Sequence, residues 1–431
     1  MNVIKIGVIS IGVLLLSGCK LADTLTDYTA STLCTKIFLS GLPAAHIMKT
    51  DIVPATLGTA NFVKIDINYH EKSVKARYSR TQAKAIYREN MGCTLVGEIS
   101  EGEVSESELR DQVMPNVPLV YLDPQQAWPY GSAGVSAVEG VNLDIIEQAA
   151  DELFQEKELF KLNTSSVLVA YKGKLIFERY APEYQSNTPV PMFSVSKAVS
   201  AVVSGIMQEQ GLLDVHSPTG LVQWSNPRDP RQAITPHHLM SMTAGLGEKT
   251  TAQKIDPDLF DLISADDKAD SFSEKELFAH PGAAYHYNTG NYLIQSSIMK
   301  DRLGSLAEHY SFIHQELFRK IDINTAVVQV DNSGNLELGM FTFMSPRDMA
   351  RFGLLLERGG DWNGEQIVPK SWIDYMLTPV SFANPWQTDY GVGIFPNTDT
   401  MENRFWPSLP EDAMNALGFR GYLLLVCLHL S

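Results

Sequence analysis

A serine followed three residues later by a lysine is the spacing in this chain most able to do chemistry. It occurs three times, at residues 17–20, 194–197 and 297–300. Only Ser194 follows a stretch broken by prolines, Pro189 and Pro191, and begins a predicted helix. Its hydroxyl would lie at the positive end of a helix dipole, with Lys197 on the same face. A partly desolvated amine can accept the proton of a serine hydroxyl, so the spacing predicts Ser194 as nucleophile and Lys197 as its base.

The segments on both sides of Ser194 predict the domain that must hold it. Apolar residues recur at helical spacing between Ile146 and Phe154, and helices and loops follow Ser194 as far as about Leu338. Strand-like apolar runs occur at residues 166–171, 175–180, 390–395 and 422–426. The first two runs flank a Lys-Gly-Lys turn and predict a hairpin. This order favours an α+β fold, with an antiparallel sheet assembled from both ends of the domain, flanked by helices, and a large helical insertion.

The chain before this domain predicts a smaller, mixed N-terminal segment. We place an extension and linker at residues 19–135 and the hydrolase domain at residues 136–431. The run Phe62–Ile67 favours a strand, and residues 81–89 favour a helix. Pro, Gly and Asp are frequent between Leu122 and Ser132, so a linker is expected there.

The first residues predict export. Lys5 precedes an apolar run, residues 6–16, that is too short to span a bilayer. The ending Leu16-Ser17-Gly18-Cys19 resembles the lipobox of bacterial lipoproteins, in which cleavage before the cysteine leaves a lipid-modified N-terminus. We therefore expect a signal peptide at residues 1–18 and a lipid on Cys19, the alternative being an ordinary signal peptide. The residue after Cys19 is Lys20 rather than Asp, which resembles outer-membrane sorting in Gram-negative cells, so the periplasmic face of the outer membrane is expected.

Composition excludes some partners. The formal charge is −16 and the sequence has no cluster of Lys and Arg, which argues against nucleic acid. In an oxidising compartment Cys34 and Cys93 are candidates for a disulfide, the alternative being buried free thiols; Cys427 remains. No metal-ligand spacing joins the cysteines to histidines, so zinc is not expected. The predicted serine chemistry implies neither a metal nor an organic cofactor.

The surroundings of Ser194 carry a family resemblance. Phe193–Lys197 resembles the active-site segment of the serine β-lactamase-like hydrolases, a family that includes class C β-lactamases, penicillin-binding peptidases, D-stereospecific esterases and 6-aminohexanoate-dimer hydrolases. Further segments resemble the family in the same order, at Ile234–Leu246, Pro281–Tyr287, Ser345–Gly353 and Trp362–Glu365. The resemblance implies a β-lactamase/transpeptidase-like fold and hydrolysis of a small ester or amide through an acyl-enzyme.

The resemblance also implies roles for residues near the nucleophile. Tyr287 matches the tyrosine that moves protons to the leaving group. The Tyr-x-Asn pattern of the family is altered to Tyr287-Asn288-Thr289, and Asn291 is a candidate to replace the missing amide.

The Lys-Thr-Gly motif of the family is absent, and Gly418-Phe419-Arg420-Gly421-Tyr422 stands in its place. Backbone N–H groups of Ser194 and Tyr422 would then form the oxyanion hole. Losing Lys-Thr-Gly removes the usual grip on a β-lactam carboxylate, although Arg420 could compensate. This departure favours ester or short-amide hydrolysis over β-lactamase activity.

Other functions remain open at this point. A penicillin-recognising enzyme is the alternative within the family, and a surface-anchored binding module is an alternative for the N-terminal segment. The chain ends nine residues after Tyr422, whereas the family continues further, so an inactive truncated remnant is a third. A Ser-His-Asp triad using His237 or His238 is conceivable, but no Gly-x-Ser-x-Gly elbow is present and these histidines are expected to pack or face solvent.

Overall fold

A computed structural model of the chain describes residues 18–96, 105–155, 162–247, 259–380, 390–398 and 404–428. The predicted signal peptide, except for Gly18, lies outside these residues. Within them, no helix combines the length and apolar character needed to cross a bilayer.

The N-terminal segment is a helix packed on an antiparallel sheet. Its helices are α1 (Gly18–Phe38), α2 (Ala44–Ile47), α3 (Val53–Ala55) and α4 (Glu106–Asp111), and its strands, in spatial order, are β1 (Lys64–Asn68), β2 (Ser73–Tyr78), β3 (Thr81–Arg88) and β4 (Gly92–Val96). Helix α1 lies across the sheet and buries Leu33 and Ile37 against it. A disulfide joins Cys34 of α1 to Cys93 of β4, the pair that the sequence suggested, with 6.0 Å between the Cα atoms.

The helix expected at residues 81–89 is a strand, and that prediction is wrong. Ala83 and Ala85 face the core, while Gln82 and Lys84, which alternate with them along the strand, are more exposed. Ala, Lys and Gln favour helices in isolation, but β3 pairs with β2 on one edge and β4 on the other. Tertiary pairing overrides the local preference here.

The stretch expected to be a linker is packed against the predicted hydrolase domain, which is called the catalytic domain below. Trp128 is 1% exposed. The guanidinium of Arg351 donates to the carbonyl oxygens of Pro129 and Gly131, both at 2.8 Å. The chain from Trp128 to Gly131 is therefore held on the domain that it was expected only to connect.

The remaining helices and strands of the described residues belong to the catalytic domain. Its helices are α5 (Leu143–Phe154), α6 (Ser196–Glu209), α7 (Pro236–Met240), α8 (Leu259–Ser264), α9 (Lys268–Ser273), α10 (Gly290–Leu303), α11 (Leu306–Ile313), α12 (Pro346–Glu357) and α13 (Lys370–Met376). Its strands are β5 (Ser166–Tyr171), β6 (Lys174–Tyr180), β7 (Val190–Pro191), β8 (Val327–Val328), β9 (Thr342–Met344), β10 (Asp361–Trp362), β11 (Glu365–Gln366), β12 (Phe395–Pro396), β13 (Ala413–Leu417) and β14 (Leu423–Cys427).

These strands form several small antiparallel sheets. Strands β5 and β6 make the predicted hairpin. Strands β7, β9 and β8 form a second sheet, β10 and β11 a third, and β12, β13 and β14 a fourth. A single sheet from both ends of the domain was expected, whereas within the described residues the hairpin and the β12–β14 sheet share no ladder. Helix α12 packs against both β5 and β14, so side-chain packing joins the two where backbone pairing does not.

Helix α6 forms the centre of the larger core. All its residues from Ser196 to Met207 are buried. Helix α10 and helix α13 pack against it, and Trp372 of α13 donates its indole N–H to the carbonyl of Ala201 at 2.9 Å. The start of this buried helix is therefore a fixed point in the domain.

Candidate active site

Ser194 lies in a short 3₁₀ turn, Phe193–Val195, that leads directly into α6. Strand β7 ahead of this turn pairs with β9, and the N–H of Met192 donates to the carbonyl of Thr342 at 2.8 Å. Phe193 has a φ of +47°, a conformation that is rare for a bulky residue and is found where surrounding structure imposes it. The turn therefore holds the Ser194 hydroxyl at a defined, half-buried position.

Lys197 lies one helical turn further on and is 1% exposed. Its Nζ donates to Ser194 Oγ at 3.1 Å and to the carbonyl oxygen of Gly339 at 2.9 Å. The structure thus brings together the serine and lysine that the sequence paired. An amine at this distance can take the hydroxyl proton.

Two tyrosine rings lie beside this amine. Lys197 Nζ is 5.1 Å from the ring centroid of Tyr287 and 5.7 Å from that of Tyr292. Tyr292 donates its hydroxyl to the carbonyl of Met240 at 2.8 Å, and burial holds its pKa well above the usual range. Tyr292 is therefore a buried neutral phenol, and half-buried Tyr287 is the better placed of the two for proton transfer.

The loop Gly418–Tyr422 lies beside the turn that carries Ser194. The ring of Phe193 contacts the rings of Phe419 and Tyr422, with centroids 5.6 and 5.5 Å apart. A Cβ at Gly418 would stand only 2.5 Å from the carbonyl oxygen of Met192, so no larger residue fits there. The predicted oxyanion loop is therefore adjacent to the nucleophile turn. Gly421 has a φ of +85° and shapes the loop's return into β14.

Two side chains in the predicted substrate site have other partners. Arg420 donates to the carbonyl oxygens of Thr50 and Asp51, at 2.6 and 3.2 Å, and so binds the N-terminal segment. Asn291 is 1% exposed, and its Nδ2 lies 3.7 Å from the sulfur of Met242. The first turn of α10 directs Asn291 into the core. These positions differ from the substrate contacts expected for Arg420 and Asn291.

The side chain of Tyr422 also contacts the N-terminal segment. It packs against the core of the N-terminal segment, and burial raises its pKa. Its backbone carbonyl accepts the N–H of Gly418 at 2.6 Å. Only the backbone N–H of Tyr422 is left as the candidate for the oxyanion role.

The adjacent histidines have structural partners. His238 accepts the backbone N–H of Thr235 at 3.2 Å and forms part of the cap of α7. His237 Nδ1 lies 2.5 Å from the hydroxyl of Tyr375. Burial, with the neighbouring imidazoles, lowers the pKa of His237 to about 4. Both histidines stabilise the α7 region, while the hydroxyl of Ser194 faces Lys197.

Sequence reasoning missed Gly339, whose carbonyl is a hydrogen-bond acceptor for Lys197. A Cβ at this glycine would lie 2.2 Å from Cβ of Tyr292, so the close approach needs glycine. A backbone carbonyl leaves no residue-type signal in a sequence. Among the residues that the structure describes, no group of three or more His, Cys, Asp and Glu could hold a metal ion.

Comparisons with known proteins identify the family. The sequence profile of the beta-lactamase family matches residues 156–422, more than half of the chain. The chain therefore belongs to the serine β-lactamase-like family, and family membership indicates a hydrolase.

Two solved structures show the same fold. One, described as a putative 6-aminohexanoate-dimer hydrolase from Bacillus anthracis, is 20% identical, with a TM-score of 0.52 over 73% of this chain and 79% of that one. Another, a putative beta-lactamase from Bacteroides dorei, is 16% identical, with a TM-score of 0.52 over 66% of this chain and 86% of that one. A comparison with curated proteins finds no match.

Proposed function

We propose that this protein is a serine hydrolase that cleaves small esters or amides through an acyl-enzyme on Ser194. The observation that carries the proposal is the hydrogen bond of 3.1 Å between Lys197 Nζ and Ser194 Oγ, made by an amine that is almost fully buried. Burial disfavours the charged form of an amine, which leaves it able to accept a proton.

The reaction follows from this arrangement. Ser194 Oγ forms a bond to the substrate carbonyl carbon while its proton moves to Lys197 Nζ. The N–H groups of Ser194 and Tyr422 stabilise the negative charge on the carbonyl oxygen. Collapse of the tetrahedral intermediate expels the alcohol or amine, which takes a proton by way of Tyr287. Water then attacks the acyl-enzyme, releases the acid and returns the proton to Ser194.

The substrate class rests on the loop that replaces Lys-Thr-Gly. Its one cation, Arg420, binds backbone carbonyls of the N-terminal segment, which leaves it poorly placed for a β-lactam carboxylate. The likeness to a putative 6-aminohexanoate-dimer hydrolase suggests short linear amides among the first substrates to test. Nitrophenyl esters provide the simplest ester substrates.

Fluorophosphonate labelling tests the nucleophile. Ser194→Ala should abolish labelling and nitrophenyl-ester turnover. Ser297→Ala is the matched control, because Ser297 begins another Ser-x-x-Lys sequence, on α10, and should label as the unchanged protein does. Undiminished labelling of Ser194→Ala would rule out the assignment. Acylation of Ser194 by a fluorescent penicillin, without ester turnover, would instead favour a penicillin-recognising enzyme.

The location of the protein is a separate part of the proposal. Cys19 carries lipid, and the protein is exported and held at the periplasmic face of the outer membrane. The Cys34–Cys93 disulfide supports an oxidising compartment. Labelled palmitate should enter the protein and should be lost in Cys19→Ala but retained in Cys427→Ala. Incorporation that survives Cys19→Ala would dismiss the anchor.

A further inference from the structure

The carbonyl that holds Lys197 belongs to a tight turn closed by Glu337. The backbone N–H groups of Met340 and Phe341 donate to the carbonyl oxygen of Glu337, at 3.0 and 2.9 Å. Gly339 lies inside this turn, and its own carbonyl points at Lys197 Nζ, 2.9 Å away. The position of the Glu337 backbone therefore determines where the acceptor for Lys197 lies.

Gln329 holds this turn by three hydrogen bonds, two with Glu337 and one with Phe341. The N–H of Glu337 donates to the carbonyl of Gln329 at 2.8 Å, and the N–H of Gln329 donates to the carbonyl of Phe341 at 2.9 Å. Between the side chains, Gln329 Nε2 donates to Glu337 Oε1 at 3.3 Å. Both side chains are almost fully buried, at 5% and 2% exposure, so these bonds do not compete with bulk water.

The N-terminal segment continues this set of contacts. Thr35 of α1, next to the disulfide cysteine Cys34, donates its hydroxyl to Gln329 Oε1 at 3.2 Å. Beside it, Thr94 of β4 donates to the carbonyl of Val330 at 2.8 Å. The N–H of Val330 donates to the carbonyl of Met91 at 3.1 Å. The extension thus contacts Gln329 and Val330, the two residues that follow β8, and Gln329 supports the Gly339 turn.

Burial raises the pKa of the Glu337 carboxyl and nearby Asp331 adds to that rise, while Lys268, the hydrogen bond from Gln329 and Arg88 lower the pKa. A glutamine at position 337 would keep the shape of the side chain and the oxygen that accepts from Gln329. Glu337→Gln therefore distinguishes the effect of the hydrogen bond with Gln329 from the effect of the carboxyl charge.

We propose that Thr35, Gln329 and Glu337 are positioning residues, through which the N-terminal segment holds the Gly339 carbonyl and hence Lys197 in the geometry needed for catalysis. The inference rests on the proposed function, because it assigns Lys197 as the base. A shift of less than an ångström in a reacting group changes a rate strongly while leaving substrate binding almost unaltered. The N-terminal segment thus contributes to the geometry of the active site.

Thr35→Val tests the contact from the N-terminal segment, with Thr29→Val as a matched control. Both hydroxyls are buried on α1, but the Thr29 hydroxyl has no hydrogen-bond partner. With a nitrophenyl ester, Thr35→Val should lower kcat about threefold with KM unchanged, and Thr29→Val should leave both constants unchanged. Equal kcat values for the two variants would overturn the proposal.

Glu337 gives a second, independent test. Glu337→Ala should lower kcat about tenfold with KM unchanged, whereas Glu337→Gln should retain kcat within about twofold. Equal kcat in the alanine variant and the unchanged protein, or equal losses in the two variants, would contradict the positioning role. If Glu337→Ala does not fold, the Thr35 pair and Glu337→Gln decide.

Failure of this inference differs from failure of the proposed function. Turnover that persists in Ser194→Ala would show that Ser194 is not the nucleophile, and the proposed function would fail. If Ser194→Ala abolishes turnover but kcat is unaltered in Thr35→Val and Glu337→Ala, the proposed function stands. Only the positioning role of Thr35, Gln329 and Glu337 is then refuted.

Discussion

At the residue scale, Lys197 shows what a buried amine needs in order to work as a base. The groups that replace water around it include the carbonyl of Gly339, the hydroxyl of Ser194 and the faces of two aromatic rings. A buried amine without such partners would be costly to keep. Gly339 and Ser194 provide the hydrogen bonds, while the rings of Tyr287 and Tyr292 offer their electron-rich faces.

Removing this amine should stop the chemistry without unfolding the domain. Lys197→Met keeps the aliphatic stem and should lower kcat/KM for a nitrophenyl ester about 10³-fold, because general-base catalysis is lost. Lys300→Met is the control, since Lys300 is the lysine of the Ser-x-x-Lys on α10 and should keep its activity within about twofold. Comparable losses in both variants would indicate a stability effect instead.

A buried histidine makes stability depend on pH. His309 on α11 is 0% exposed, and neither ring nitrogen has a hydrogen-bond partner. Burial, aided by the charge of Lys300, lowers its pKa to about 3. The unfolded chain binds a proton near pH 6.5 and the folded protein does not, so this residue costs about 1.4 kcal/mol of stability per pH unit below 6.5, until about pH 3.

His309→Leu should therefore flatten the acid side of the stability profile. Urea unfolding between pH 7 and 4 should show a smaller decrease in the free energy of unfolding for this variant than for the unchanged protein. His70→Leu, at an exposed position near the end of β1, should retain the original slope. Parallel profiles for His309→Leu and the unchanged protein would contradict the assignment.

At the element scale, helix α12 connects parts of the chain that backbone ladders leave separate. It packs on the β5–β6 hairpin and on β14. Its Arg351, which is 2% exposed, also pairs with Asp348 at 2.7 Å and binds the segment around Pro129. One side chain thus satisfies a buried carboxylate and two backbone carbonyls of the connecting segment.

Truncating Arg351 should destabilise the domain strongly. Arg351→Met leaves the buried carboxylate of Asp348 without its cation and should lower the free energy of unfolding by about 3 kcal/mol or more. Lys370→Met breaks an exposed pair with Asp374 and should cost less than about 0.5 kcal/mol. Chemical denaturation measures both, and similar midpoints for the two variants would refute the argument.

Local patterns predicted some elements and could not predict others. The hairpin was predictable because two apolar runs flank Lys172-Gly173, and both of these residues adopt the positive φ that a tight turn requires. Strand β3 was not predictable, because its residues favour a helix until β2 and β4 pair with it. Pairing between distant strands carries no signal in a short window.

The same contrast holds for the site. Ser194 and Lys197 are three residues apart, so their pairing could be read from one helical turn. The acceptor at Gly339 is 142 residues from Lys197 in sequence, and only the folded chain brings it there. The side chain of Arg420 was misjudged for the same reason, because its partners Thr50 and Asp51 lie in the N-terminal segment.

At the scale of the whole molecule, the N-terminal segment and the catalytic domain each bury side chains in the core of the other. Tyr184 and Val190 of the catalytic domain are buried in the core of the N-terminal segment. Met91 of the segment lies in the core of the catalytic domain. Arg88 adds a donor to the carbonyl of Val330 at 2.9 Å. Neither core is complete without the other part.

The disulfide should contribute to stability of this joint structure. Cys34 and Cys93 are 59 residues apart, and closing a loop of that length should stabilise the folded state by about 4 kcal/mol through the entropy of the unfolded chain. The double variant Cys34→Ala/Cys93→Ala should lose about that much in urea unfolding. Cys427→Ala should lose far less. A double variant as stable as Cys427→Ala would contradict the estimate.

The ring of Tyr422 has a consequence for how the protein is made. It packs on the core of the N-terminal segment, at the opposite end of the described sequence from α1. Synthesis proceeds from α1 toward Tyr422, and domains generally begin to fold as they emerge. Helix α1 and the β1–β4 sheet can therefore form early. The part of their surface that Tyr422 covers stays uncovered until almost the entire remaining chain has been made. The N-terminal segment thus emerges first, but its packing is among the last to be completed.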